Sequence, residues 1–139
     1  MKVRINENDK IQVLNSTDLY PIMQKILLRQ DKIRRRKEYS WIIGLETDNT
    51  INFIELVGLG DLSSVIMPPR EIFRIAVIKN VEKVILCHNH PSGNLTPSLQ
   101  DRIMTDKLQE GGKLLGITIE DHLIISEEKY FSFANKGYI

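Results

Sequence analysis

A single cysteine, Cys87, is the only thiol in this chain, so no disulfide can form within it and a reducing compartment suits it. Cys87 sits in the apolar run Val84-Ile85-Leu86-Cys87, which marks it as core packing and not as a nucleophile. Long apolar runs are missing as well. No segment approaches the roughly 18 residues of a membrane span, and Met1–Lys10 alternates charge and hydrophobe without a signal-peptide core. A cytoplasmic location without membrane attachment is the expectation. Neither sign of charge prevails: Lys and Arg number 19, Asp and Glu 18, and the formal net charge is +1. The overall field therefore demands no nucleic acid or anionic surface as partner. Five prolines and eight glycines are scattered along the chain. No linker, repeat or low-complexity tract divides it.

What is present fits one domain. A length of 139 residues with 42% hydrophobic and 27% charged content supports a real core and a solvated surface. Leu19, Ile22, Met23, Ile26 and Leu27 follow the spacing of an amphipathic helix, with Ser16, Thr17 or Asp18 as its cap. Strands are expected near Tyr39–Glu46 and Asn52–Gly58, joined through the Asp48-Asn49 turn. Pro68-Pro69 opens a second helix to about Lys79, with Ile72, Phe73, Ala76 and Val77 on its inner stripe. A strand near Lys83–His88 and a helix capped at Thr96 follow; that helix runs to about Lys113 and ends at Gly116 or at Gly111-Gly112. A strand near Ile117–Ile125 and an aromatic tail close the chain. This order predicts an α/β fold: one domain, a mixed β-sheet flanked by helices. Residues 1–16 read as an N-terminal extension and 17–139 as the domain.

The chemistry concentrates between His88 and Asp101, in His-Asn-His-Pro-Ser-Gly-Asn-Leu-Thr-Pro-Ser-Leu-Gln-Asp. Positions i and i+2 of a strand point to one side, so His88 and His90 can face one point. Thr96-Pro97-Ser98 is a helix-start signal. It places Asp101 in the first helical turn, three residues after Ser98 and on the same face. Two imidazoles and one carboxylate leave a fourth tetrahedral position for water, which distinguishes a catalytic zinc site from a closed structural one.

This segment resembles the signature of the JAMM metalloenzymes (the JAB/MPN/Mov34 superfamily), in which a distant Glu precedes His-X-His and then Ser-X-X-Asp. Counted from His90, the spacing to Ser98 and Asp101 agrees. Asn89 with Pro91-Ser92-Gly93 is similar to the RadC branch, as are Pro69-Arg70-Glu71-Ile72-Phe73, Leu114-Leu115-Gly116-Ile117 and Asp121-His122. The likeness runs from about Thr17 to the C-terminus and implies the JAMM/MPN fold with cytidine-deaminase-like layering. It looks like a short form lacking the helix-hairpin-helix region of longer RadC proteins.

The resemblance further implies a Zn2+ held by His88, His90 and Asp101, and hydrolysis of a peptide or isopeptide bond. Productive attack also needs a base that is not a ligand. Glu38 matches the family's Glu; the plainer reading of it is a surface acid beside Arg and Lys residues. Glu55 on the next strand competes for the role, and Glu71 more simply stabilises the start of its own helix. Ser98, on the face of Asp101, is the candidate to donate a hydrogen bond to the developing oxyanion, or else it bonds helix-terminal backbone. Asp121 and His122 are candidates to orient a ligand from behind, or equally to serve a structural role at the start of their strand. The run Lys32–Lys37 carries five cations in six residues. It reads as a solvated turn or as a weak, sequence-independent nucleic-acid contact, in keeping with the DNA-repair label of RadC proteins. Five phosphate contacts would give a salt slope of about −4 to −5. Preceding the site strand, the run need not face the pocket.

Overall fold

The computed structural model describes residues 1–60 and 67–139. Eight elements carry the fold: α1 (Ser16–Leu28), β1 (Glu38–Leu45), β2 (Ile51–Gly60), α2 (Pro69–Ile78), β3 (Lys83–Asn89), α3 (Leu99–Leu115), β4 (Thr118–Ile125) and β5 (Tyr130–Ser132). The strands form one five-stranded sheet in the order β2-β1-β3-β4-β5. β1 runs antiparallel to both β2 and β3, β3 parallel to β4, and β4 antiparallel to β5. A parallel pair needs a crossover, and α3 supplies it between β3 and β4. The expected single α/β domain with a mixed sheet is observed.

Period-two alternation along the central strands sorts their side chains to two cores. Trp41, Ile43, Leu45, Ile85, Cys87, Leu123 and Ile125 pack with α1 on one face. Ile42, Val84, Leu86 and Ile119 pack with Ile72 and Ala76 of α2 and Leu108 of α3 on the other. Cys87 is fully buried, as its apolar surroundings in sequence required. Residues 1–13 lie along β2: Val3 N–H donates to Ile54 O and Ile51 N–H to Ile11 O, so backbone groups on that edge are paired.

Several boundaries differ from the sequence reading, for identifiable reasons. α1 is capped by Asn15, whose side chain accepts from Thr17 N–H, while Asp18 reaches back to Asn15 N–H. α3 is capped by Ser98 and not Thr96, through the reciprocal pair Asp101 N–H to Ser98 Oγ and Ser98 N–H to Asp101 Oδ2. α3 ends at Gly116, in the left-handed conformation with φ 72°. Gly112 lies inside the helix, at a position where only glycine fits because a Cβ would clash with Ile117 O. On α2 the buried stripe is Ile72, Ile75 and Ala76, while Val77 is 62% exposed.

Candidate metal centre

His88 is next to last on β3 and shares the sheet face of Val84 and Leu86, which is the face α3 covers. His90 follows directly after the strand ends. Asp101 is the third residue of α3, where the capping box holds one carboxylate oxygen on Ser98 N–H. The three side chains converge. His88 Nε2 lies 3.0 Å from His90 Nε2 and 3.5 Å from Asp101 Oδ1, and His90 Nε2 lies 3.2 Å from Asp101 Oδ2. All candidate donor atoms fall within 4.8 Å of one another.

These residues fit a zinc ion. A tetrahedral centre with bonds of about 2.0–2.2 Å separates its donor atoms by about 3.3–3.6 Å, close to the spacings observed. The chemistry of the donors agrees. His90 Nδ1 is 2.7 Å from Asn94 O, which only accepts, so Nδ1 carries the hydrogen and Nε2 turns a lone pair to the cluster. A carboxylate meets it there. Burial works against ionised Asp101, yet the neighbouring His88 and His90 and the Ser98 N–H outweigh it and hold the carboxyl far below the ordinary range. His88 is pushed down by burial, so it stays neutral and available as a ligand. For His90, burial opposes the charged form, but Asp101 and Asn94 O together hold its pKa above 6.5.

Glu38 opens β1 beside this cluster. It is 7% exposed, and its Oε2 is buried without a hydrogen-bond partner among the described residues. Burial raises its carboxyl above the usual Glu range; His90 pulls it down and Asp101 adds to the rise. Asn89 holds the backbone on both sides of Glu38, accepting from Tyr39 N–H at 2.6 Å and donating to Lys37 O at 2.9 Å. The residue between the two histidines therefore ties their strand to the acid. Asn89→Ala would leave Tyr39 N–H buried and unpaired, a loss of about 1–3 kcal/mol; urea denaturation of the variant measures it.

Glu38, His90, Ser98 and Asp101 share a cleft of about 530 Å³, whose walls include Ser92, Asn94 and Arg36. The other acids lie elsewhere. Glu55 pairs across from Ile42, four residues or about 13 Å along β1 from Glu38, and its carboxylate is 4.0 Å from the N-terminal ammonium. Glu71 sits in the first turn of α2 and binds Arg74 Nε at 3.1 Å. Ser98 Oγ accepts from Asp101 N–H, and its own O–H donates to no partner among the described residues.

Two open readings of the sequence are narrowed here. Asp121 faces away from the cluster: β4 alternation sends it to the opposite side from His122, where it accepts from Ser132 Oγ, Ala134 N–H and His122 N–H. Its role is structural, joining β4 to the tail. His122 Nε2 stands behind His88, 2.7 Å from its Nδ1. The basic run divides. Arg34 pairs with Asp31 and Arg35 with Glu127, while Arg36 lines the cleft, so the run is not clear of the pocket. Its turn of 3-10 helix at Arg34–Arg36 points the third arginine toward the site. Thr105, 2.7 Å from His122 Nδ1, was not singled out in the sequence. Its signal was the four-residue spacing from Asp101, which puts both on one helical face.

A mixed α/β sheet that delivers two imidazoles and a carboxylate to one cleft, with a further acid beside them, is the construction of a JAB-type metal-binding domain. The family model of the RadC-like JAB domain matches residues 13–138, and the chain belongs to that family. A UPF0758 protein of Methanosarcina barkeri is 40% identical over 134 residues, covering 96% of this chain and 56% of the relative. A UPF0758 protein of Clostridium botulinum is 44% identical over 119 residues, covering 86% of this chain and 52% of the relative. The chain spans about half the length of these curated relatives. No helix among the described residues is long and apolar enough to cross a membrane.

Proposed function

We propose that this domain is a zinc-dependent hydrolase of peptide or isopeptide bonds, working in the cytoplasm. The observation that carries the reading is the unpartnered, buried Glu38 Oε2, in the cleft where His88, His90 and Asp101 converge. Zinc at those residues would supply a Lewis acid and bring the pKa of water toward neutrality. The chain's own groups do the rest. Glu38 Oε2 takes a proton from the attacking water and returns it to the leaving amine. Ser98 O–H donates to the carbonyl oxygen as that oxygen gains negative charge. The cleft, at about 530 Å³, falls in the size range of ordinary ligand-binding pockets.

The test is a library of fluorogenic peptides and isopeptides incubated with zinc-loaded protein. Cleavage that a chelator removes and zinc restores supports the reading. A library that stays intact across both bond types refutes amide hydrolysis.

Nucleic-acid binding, the competing reading, loses weight from the ion pairs. Arg34 and Arg35 are engaged by acids and Arg36 faces the cleft, so Lys32, Arg36 and Lys37 are the cations left for phosphates. Three contacts predict a slope of log affinity against log salt of about −3 on duplex DNA, shallower than the full run would give. Lys32→Ala with Lys37→Ala should flatten that slope to about −1 and leave zinc content and hydrolysis unchanged. A sequence-selective complex that survives physiological salt, measured by anisotropy, would put the nucleic-acid reading first.

A further inference from the structure

A closed ring of short contacts runs behind the cluster, and the direction of each hydrogen bond in it can be deduced. Asp101 O is a carbonyl and only accepts. Thr105 Oγ1 lies 2.7 Å from it, so the hydroxyl hydrogen is committed there. The same Oγ1 lies 2.7 Å from His122 Nδ1 and has only lone pairs left to offer, so Nδ1 carries the ring hydrogen. A neutral imidazole has one N–H, which leaves His122 Nε2 bare. His122 Nε2 is 2.7 Å from His88 Nδ1, which must then hold the hydrogen. That leaves a lone pair on His88 Nε2, the atom 3.0 Å from His90 Nε2 and 3.5 Å from Asp101 Oδ1. The ring starts on the Asp101 carbonyl and returns to the Asp101 carboxylate.

We infer that Thr105 is a positioning residue for the metal: through His122 it fixes the tautomer in which His88 turns a lone pair toward the cluster. The inference rests on the zinc reading of His88, His90 and Asp101. Its force lies in the alternative it excludes. If every bond in the chain reversed, Thr105 would donate to His122 Nδ1, His122 Nε2–H to His88 Nδ1, and His88 would carry a hydrogen on Nε2. A proton would then occupy the place of the metal, and the Asp101 carbonyl bond would be given up. Thr105, His122 and His88 are all buried, at 1%, 1% and 0% exposure, so each of these groups depends on its protein partners and is not open to bulk water. Partners of this kind behind a ligating histidine set its tautomer and basicity.

The experiment uses the full chain, with Thr105→Val to remove the hydroxyl at nearly constant shape and Thr105→Ser to keep it. Zinc affinity is read by chelator competition, and ring tautomers by long-range 1H–15N NMR of the histidines. Without the hydroxyl, His122 Nδ1–H is buried with no acceptor, so the ring moves its hydrogen to Nε2 and drives His88 into the unsuitable tautomer. Zinc affinity should fall about 10- to 100-fold in Thr105→Val and stay within a few-fold of the parent in Thr105→Ser. The zinc-free parent should show His122 as the Nδ1–H form and His88 as the Nδ1–H form. Equal zinc affinity in the parent and a folded Thr105→Val overturns the inference. So does finding Nε2–H on His122 in the zinc-free parent, a result that needs no variant to fold. Should the parent itself bind no zinc, the metal reading fails separately, and the parent's tautomers still decide the direction of the ring.

Discussion

Purified protein should carry about one zinc ion per chain, and the triple variant His88→Ala, His90→Ala, Asp101→Ala should carry none. The expectation rests on three acceptor groups held within 4.8 Å by separate elements, β3, the residue after it, and the start of α3. The variant should remain folded, since both hydrophobic cores keep every one of their side chains. It should nevertheless be less stable, because Asp101 also caps α3 and loss of a cap costs about 0.5–2 kcal/mol. Asp101→Asn separates the two roles: the amide oxygen can still accept from Ser98 N–H, while the negative charge is gone. Affinity should also depend on pH. Zinc competes with protons for His90, whose pKa is held above 6.5, so binding is fullest above that value and weakens as pH falls through it. Undiminished zinc in the triple variant would refute the assignment.

The convergence of His88, His90 and Asp101 was legible because strand alternation and helix-start chemistry are local rules, and because the segment resembles a family signature. His88 needed a strand beneath it, His90 the step just past that strand's end, and Asp101 a helix beginning nearby. The cap itself was misplaced at Thr96, although Ser98 and Asp101 have the spacing of a capping box. The same signature at Asn15 and Asp18 was also passed over. In both cases the carboxylate three residues on decides the start, since it satisfies the backbone N–H of the cap. The choice between Asp121 and His122 could not be made from spacing alone. A register shift between β3 and β4 near Ile85 sets which of the two neighbours faces α3. Asn89, Thr105 and Arg36 depend on partners 50, 17 and more residues away or on the path of a turn, and one-dimensional patterns do not carry that information.

Glu38→Gln is expected to keep zinc at the parent level and to lose hydrolysis by about 10²- to 10⁴-fold, the range for removal of a positioned general base. Zinc is retained because Glu38 is not part of the His88, His90 and Asp101 cluster. The shape of the side chain is nearly conserved, so substrate binding should change little and the loss should fall on kcat. A pH profile strengthens the test. Glu38 must be ionised to accept a proton, and burial raises its carboxyl above the ordinary 4.5. The rate of the parent should therefore rise with pH through that elevated value and fall away below it. The residual rate of Glu38→Gln should lack this acidic limb, because an amide does not titrate. Glu55→Gln, altered about 13 Å along the strand and paired with the N-terminal ammonium, should match the parent in rate, zinc and pH profile. Parent-level hydrolysis in Glu38→Gln, with the acidic limb intact, would mean that another group takes the proton and that the buried Glu38 serves only the entrance to β1.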